Sequence, residues 1–166
     1  MALFDEVIQD LFAEEGGLHN DTNDLGGLTN FGISQKSFPD VDIAGLTAES
    51  AAEMYRLHYW EPLQCDSLLP MVACVVFIAA VNEGVGTAAM QLQSDVGVTQ
   101  DGVIGNATIA AVNAFIAQHN AYQLCEMFNV NCIQRYVTLK DYPTFGKGWI
   151  TRIVRVYRKA ILLPTA

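Results

Sequence analysis

Helical spacing of apolar residues runs along most of this chain and is broken by one long polar stretch, Leu18 to Ser37, rich in Asn, Asp, Gly and Thr. The stretch holds two turn clusters, Asn20-Asp21-Thr22-Asn23 and Gly26-Gly27. Leu28, Phe31 and Ile33 are its only apolar residues placed to face a core, which predicts a loop with a small β-hairpin. Elsewhere the spacing predicts helices. Thr47 caps one that runs to about Trp60 and is ended by Pro62, and Pro70 opens a second, apolar on most sides. Further helices are predicted over 87–96, 107–120 (capped by Asn106), 122–140 and 147–162, with a glycine-rich turn between Asp95 and Thr108. The fold class is therefore mainly α, an α+β arrangement of helices with one small β-hairpin region. At 166 residues, 51% of them hydrophobic and 16% charged, the chain can bury a core.

The first helix carries the chemistry. Leu3, Phe4, Val7, Ile8, Leu11 and Phe12 recur at helical spacing until Gly16-Gly17 stops the helix. At about 100° per residue Glu15 falls roughly 30° from the centre of that apolar face, and Glu14 roughly 70° away. A carboxylate there meets both partial burial and the negative end of the helix dipole. Each disfavours ionisation and raises the carboxyl pKa, which suits a general acid working near neutral pH. The polar stretch that follows reads as one wall of a cleft beside Glu15.

A net charge of −9 argues against binding nucleic acid by bulk attraction. Met1 to Glu15 carries acids where a secretory signal would carry bases, so synthesis in the cytoplasm is expected. The longest apolar run, Met71 to Val81, is too short to span a bilayer, which needs about 20 residues. Cys65, Cys74, Cys125 and Cys132 lack the spacing of zinc sites and read as reduced, packed thiols. His19, His58 and His119 are scattered, so no metal and no cofactor is expected. Arg152, Arg155, Arg158 and Lys159 form a basic patch on the last helix, more simply a solvated face than a contact with an anionic surface.

The stretch EGGLHNDTNDLGGLTNFGIS, from Glu15 to Ser34, resembles the signature of glycoside hydrolase family 108, the phage and bacterial N-acetylmuramidases with an EGG motif. Glu-Gly-Gly, Asn20-Asp21, Asp24, Gly26-Gly27, Thr29 and Gly32-Ile33 all keep the family spacing. The likeness continues through Trp60, Pro62, Cys65-Asp66 and FIAAVNEG (77–84). LQSDVGVTQDGVIGNATIAAV (92–112), Tyr136 and FGKGWITR (145–152) resemble the family's peptidoglycan-binding-like region. Two positions depart from it: Ile78 stands where the family often has an acid, and Thr22 where it often has proline.

The resemblance implies a lysozyme-like fold, with residues 1–94 as the catalytic region and 95–166 as a peptidoglycan-binding-like region packed into the same globular unit. It implies hydrolysis of the β-1,4 bond between N-acetylmuramic acid and N-acetylglucosamine, with Glu15 as the acid. Asp24 is the candidate second group, positioning water or stabilising the oxocarbenium-like centre. Thr29, with Asn30 as a near substitute, would hold the water. A carboxylate separation of about 6.5–9.5 Å would favour inversion and about 5–5.5 Å retention. Asn20, Asn30, Tyr59 and Trp60 are the candidate sugar contacts, although a helical aromatic stripe is more commonly core. The alternatives are a lytic transglycosylase, which leaves 1,6-anhydro ends, and a wall-binding or virion component without activity. The biological expectation is a monomeric phage endolysin, released by a holin to reach periplasmic peptidoglycan and not inserted in the membrane.

Overall fold

A computed structural model of the chain describes residues 3–15, 19–20 and 28–163, with the backbone alone at 14, 15, 19 and 20. The chain divides into two compact units, Met1–His58 and Tyr59–Ala166. The boundary expected between residues 94 and 95 falls inside the second, at the last residue of one of its helices.

In the first unit, α1 (Leu3–Glu15) buries Phe4, Val7, Ile8 and Leu11, the i, i+3, i+4, i+7 stripe that the sequence predicts. Its first turn is fixed by Arg56, whose guanidinium lies 4.1 Å from the centre of the Phe4 ring and 3.8 Å from the Asp5 carboxylate. Three short strands follow, β1 (His19–Asn20), β2 (Leu28–Asn30) and β3 (Ile33–Ser34), antiparallel and in sequence order. His19 and Ser34 both pair with Thr29 in register. The region is thus one strand larger than the expected hairpin. A two-residue segment such as 19–20 is too short to show alternation, so its pairing left no pattern to read.

α2 (Ala48–Tyr55) begins at Thr47 with a reciprocal cap. The Ser50 N–H donates to Thr47 Oγ1 at 3.2 Å, and the Thr47 N–H to Ser50 Oγ at 2.9 Å. The helix then widens into a single π-helical turn over Arg56–Trp60.

The second unit is built round α3 (Pro70–Glu83), opened by Pro70 at its first position. Every residue from Met71 to Ala80 is buried, Ile78 among them, so the position where the family often has an acid lies here in an apolar core. α4 (Val85–Asp95), α6 (Ala121–Tyr136) and α7 (Tyr142–Ala160) pack round α3, and α5 (Asn106–Gln118) packs on α6. Between α3 and α4, Gly84 at φ 90° makes a bend whose backbone only glycine adopts without strain.

Several helix ends differ from expectation by one to five residues, and three of them follow from particular residues. Asn106 is the first residue of α5 and not its cap, Gly105 holding the cap position with extended backbone. α6 stops at Tyr136, four residues early, in the turn that Asp141 and Pro143 impose before α7. α7 starts at Tyr142, because Pro143 can open a helix and the Gly146 site lies against the Tyr142 ring, where a Cβ would collide.

Candidate active site

The C-terminal turn of α1 is held by three aromatic residues. The Phe12 ring lies 5.0 Å from that of Phe31 and 6.0 Å from that of Tyr55, both tilted. Tyr55 also donates its hydroxyl hydrogen to the Phe31 carbonyl at 3.1 Å. Phe31 and Gly32 form the two-residue turn between β2 and β3 with φ of 51° and 77°. Positive φ at both positions is the twist that a tight hairpin requires. For a bulky residue such as phenylalanine it costs about 1–3 kcal/mol. Packing on Phe12 and the bond from Tyr55 offset that cost. Helix end and β-turn are therefore packed together, with residue 15 three positions after Phe12 and Thr29 two before Phe31.

Thr29 sits in mid-strand, half-buried, and strand alternation places it on the face opposite Asn30. Asn30 is 6% exposed, and its amide donates to the carbonyls of Ile43 at 3.1 Å and Leu46 at 3.4 Å. Its amide donors close the 43–46 loop, so the reading of Asn30 as a sugar contact is corrected to a structural role. Gln35, which the sequence did not single out, does the same for the preceding turn, donating to the carbonyls of Phe38, Pro39 and Val41. The side chains of Glu15 and Asn20, and all of Asp24, lie outside the described residues, so the carboxylate separation does too.

Trp60 is likewise corrected. It is fully buried, edge-on to Phe77 at 5.4 Å, with its indole N–H donated to Asp66 at 2.9 Å. A ring without an exposed face cannot stack on a sugar. Tyr59 beside it is half-buried, and burial raises its phenol above the ordinary range.

The second unit holds two polar networks that periodicity did not reveal. Asn82 accepts from Arg152 at 2.5 Å and donates to the Tyr136 hydroxyl at 3.2 Å, tying α3 to α7 and α6. Glu83 is ion-paired with Arg135. Burial raises its carboxyl, with the arginine opposing. Within the basic patch Arg152 thus has a structural partner. The second network is centred on Gln93, 1% exposed, which donates to Asp101, Val103 and Thr108 and accepts from the Gly102 N–H at 2.9 Å. One buried amide shapes the whole glycine-rich turn.

All four cysteines are free and buried, as read from the sequence. Burial pushes the Cys125 thiol up to about 12, and those of Cys65 and Cys132 upward as well, so they stay protonated and inert. Among the described residues no group of three His, Cys, Asp or Glu side chains is arranged to hold a metal, and no helix is long and apolar enough to cross a membrane.

A family model described as glycosyl hydrolase 108 matches residues 8–84, and one described as a predicted peptidoglycan domain matches residues 87–154. Among solved structures, SagA of Brucella abortus is 31% identical, with a TM-score of 0.87 over 96% of this chain and 94% of that one. The chain belongs to glycosyl hydrolase family 108. It is a peptidoglycan hydrolase, mostly helical with a small antiparallel sheet, in keeping with a lysozyme-like α+β fold. Curated proteins give no match. The two matched segments meet at the bend between α3 and α4.

Proposed function

We propose that this hydrolase is an N-acetylmuramidase cleaving the β-1,4 bond between N-acetylmuramic acid and N-acetylglucosamine, with Glu15 as general acid. The observation that carries this is the clamp of Phe12, Phe31 and Tyr55. It packs the last turns of the helix that bears residue 15 against the turn that follows the strand bearing Thr29. An acid works only when held within hydrogen-bonding reach of the leaving oxygen, so a rigid seat at that helix end is the feature such chemistry needs. Proton transfer to the glycosidic oxygen breaks the C–O bond, and the oxocarbenium-like centre is taken by water. Asp24 stabilises that centre or positions the water, and the Thr29 hydroxyl assists it.

The biological setting we infer is lysis of a host by a phage endolysin. It is a monomer made in the cytoplasm, released by a holin, and acts on periplasmic peptidoglycan. The test is digestion of purified peptidoglycan followed by mass spectrometry. Reducing N-acetylmuramic acid ends carrying one added water support hydrolysis at this bond. Anhydro ends would make the protein a lytic transglycosylase, and no cleavage would leave it a wall-binding component.

A further inference from the structure

In the second unit a groove of about 370 Å³ runs between α6 and α7, a volume in the range of small-ligand sites. Val130, Ile133, Ile153 and Val154 wall it, and Val130 and Val154 remain 51% and 48% exposed. Aliphatic residues at such exposure, facing one another across a concave surface, mark a place where an apolar group is accommodated.

Asn129 also lines the groove. It is 8% exposed, and its side-chain N–H₂ has no hydrogen-bond partner. A buried amide donor without a partner is destabilising, and an acceptor in the groove would remove that cost. Both signs of charge stand at the exposed edge, Arg158 and Glu126, the latter accepting from the Tyr157 hydroxyl at 3.2 Å.

These features select against a sugar. A hydroxylated ring between four aliphatic walls would leave its hydroxyls without partners, at a desolvation cost that an aromatic platform avoids. They fit a short peptide with methyl side chains, a carbonyl for the amide donor, a carboxylate for Arg158 and an amino group for Glu126. The alanine-containing peptide stems of peptidoglycan have all four.

We propose that the α6–α7 groove is a binding site for the peptide stem of peptidoglycan, with Asn129 hydrogen-bonding its backbone and Arg158 pairing with a carboxylate. The assignment rests on peptidoglycan as substrate but not on the catalytic residues. It divides recognition between glycan at the first unit and peptide at the second.

The experiment is titration of the full chain with the free pentapeptide L-Ala-γ-D-Glu-L-Lys-D-Ala-D-Ala, followed by amide NMR shifts and by calorimetry. Saturable binding is expected, with shifts centred on residues 126–133 and 153–158. Asn129→Leu and Val154→Arg should each weaken it by about tenfold or more. Residue 154 is exposed, so Val154→Arg keeps the test valid even where Asn129→Leu does not fold. Absence of binding, or equal binding by Val154→Arg, overturns the proposal. So does displacement of the shifts by a chitin tetramer, which would make the groove a glycan site. Self-association abolished by Val154→Arg, with no peptide binding, overturns it in favour of a second copy of the chain. Peptide binding by a protein that cleaves no wall supports the groove and counts against the hydrolase reading alone.

Discussion

The hydroxyl of Tyr55 on α2 donates to the carbonyl of Phe31, 3.1 Å away, at a turn whose φ of 51° is unfavourable for phenylalanine. One hydrogen bond and one aromatic cluster thus hold a strained turn beside the end of α1. A strained residue persists only where its surroundings enforce it.

Removing that hydroxyl should loosen both elements. Tyr55→Phe is expected to cost about 0.5–1.5 kcal/mol in urea denaturation. It should also lower the rate on peptidoglycan more than it raises KM, because it shifts the catalytic geometry and removes no sugar contact. An unchanged rate would show that the clamp serves stability alone.

Trp60→Phe tests the reassignment of that ring to the core. Loss of the bond to Asp66 and of part of the packing on Phe77 should lower stability by about 1–3 kcal/mol. KM for wall fragments should stay as it is. A severalfold rise in KM at unchanged stability would return the tryptophan to the substrate.

Gln93→Leu keeps most of the volume and removes the donors and the acceptor that organise the 97–105 turn. The Gly102 N–H and the Thr108 hydroxyl lose their partner, so a loss of about 2–3 kcal/mol is expected from the denaturation midpoint. A change below about 0.5 kcal/mol, the scatter of ordinary surface substitutions, would show that the network is not structural.

Burial raises the carboxyls of Glu83 and Asp95 above the ordinary range, against the opposing bonds from Arg135 to the first and from Asn131 and Gln91 to the second. In the unfolded chain both return to ordinary values, so between those values and the raised ones the folded state binds more protons. Their stabilising effect is complete below the ordinary carboxylate range and is lost as pH rises through the raised pKa values. Urea midpoints measured from about pH 4 to about pH 8 should therefore fall less steeply for Asp95→Asn than for wild type. Parallel curves would contradict the assignment to Asp95.

The helices were legible because their apolar stripes are regular, as in α1, where Phe4, Val7, Ile8 and Leu11 both show in the sequence and lie buried. The EGG stretch made the family legible as well. Legibility failed where long-range partners decide. Nothing local marks Phe31 as the residue at positive φ, since asparagine would be the usual choice there and only Phe12 and Tyr55 make phenylalanine tolerable. Asn30 reads as a sugar contact, and Gln35 and Gln93 carry no local signal, because the carbonyls they serve are brought to them only by the fold. Trp60 and Tyr59 are neighbours in sequence with different environments, which an aromatic stripe alone does not separate.

The most direct measurement is the rate at which Glu15→Gln protein clears purified peptidoglycan, with its thermal melt taken alongside. Replacing the acid by an amide of the same shape removes the proton it donates. The account predicts a rate lower by about 10²- to 10⁴-fold with an unchanged melt. Clearance as fast as wild type would contradict it.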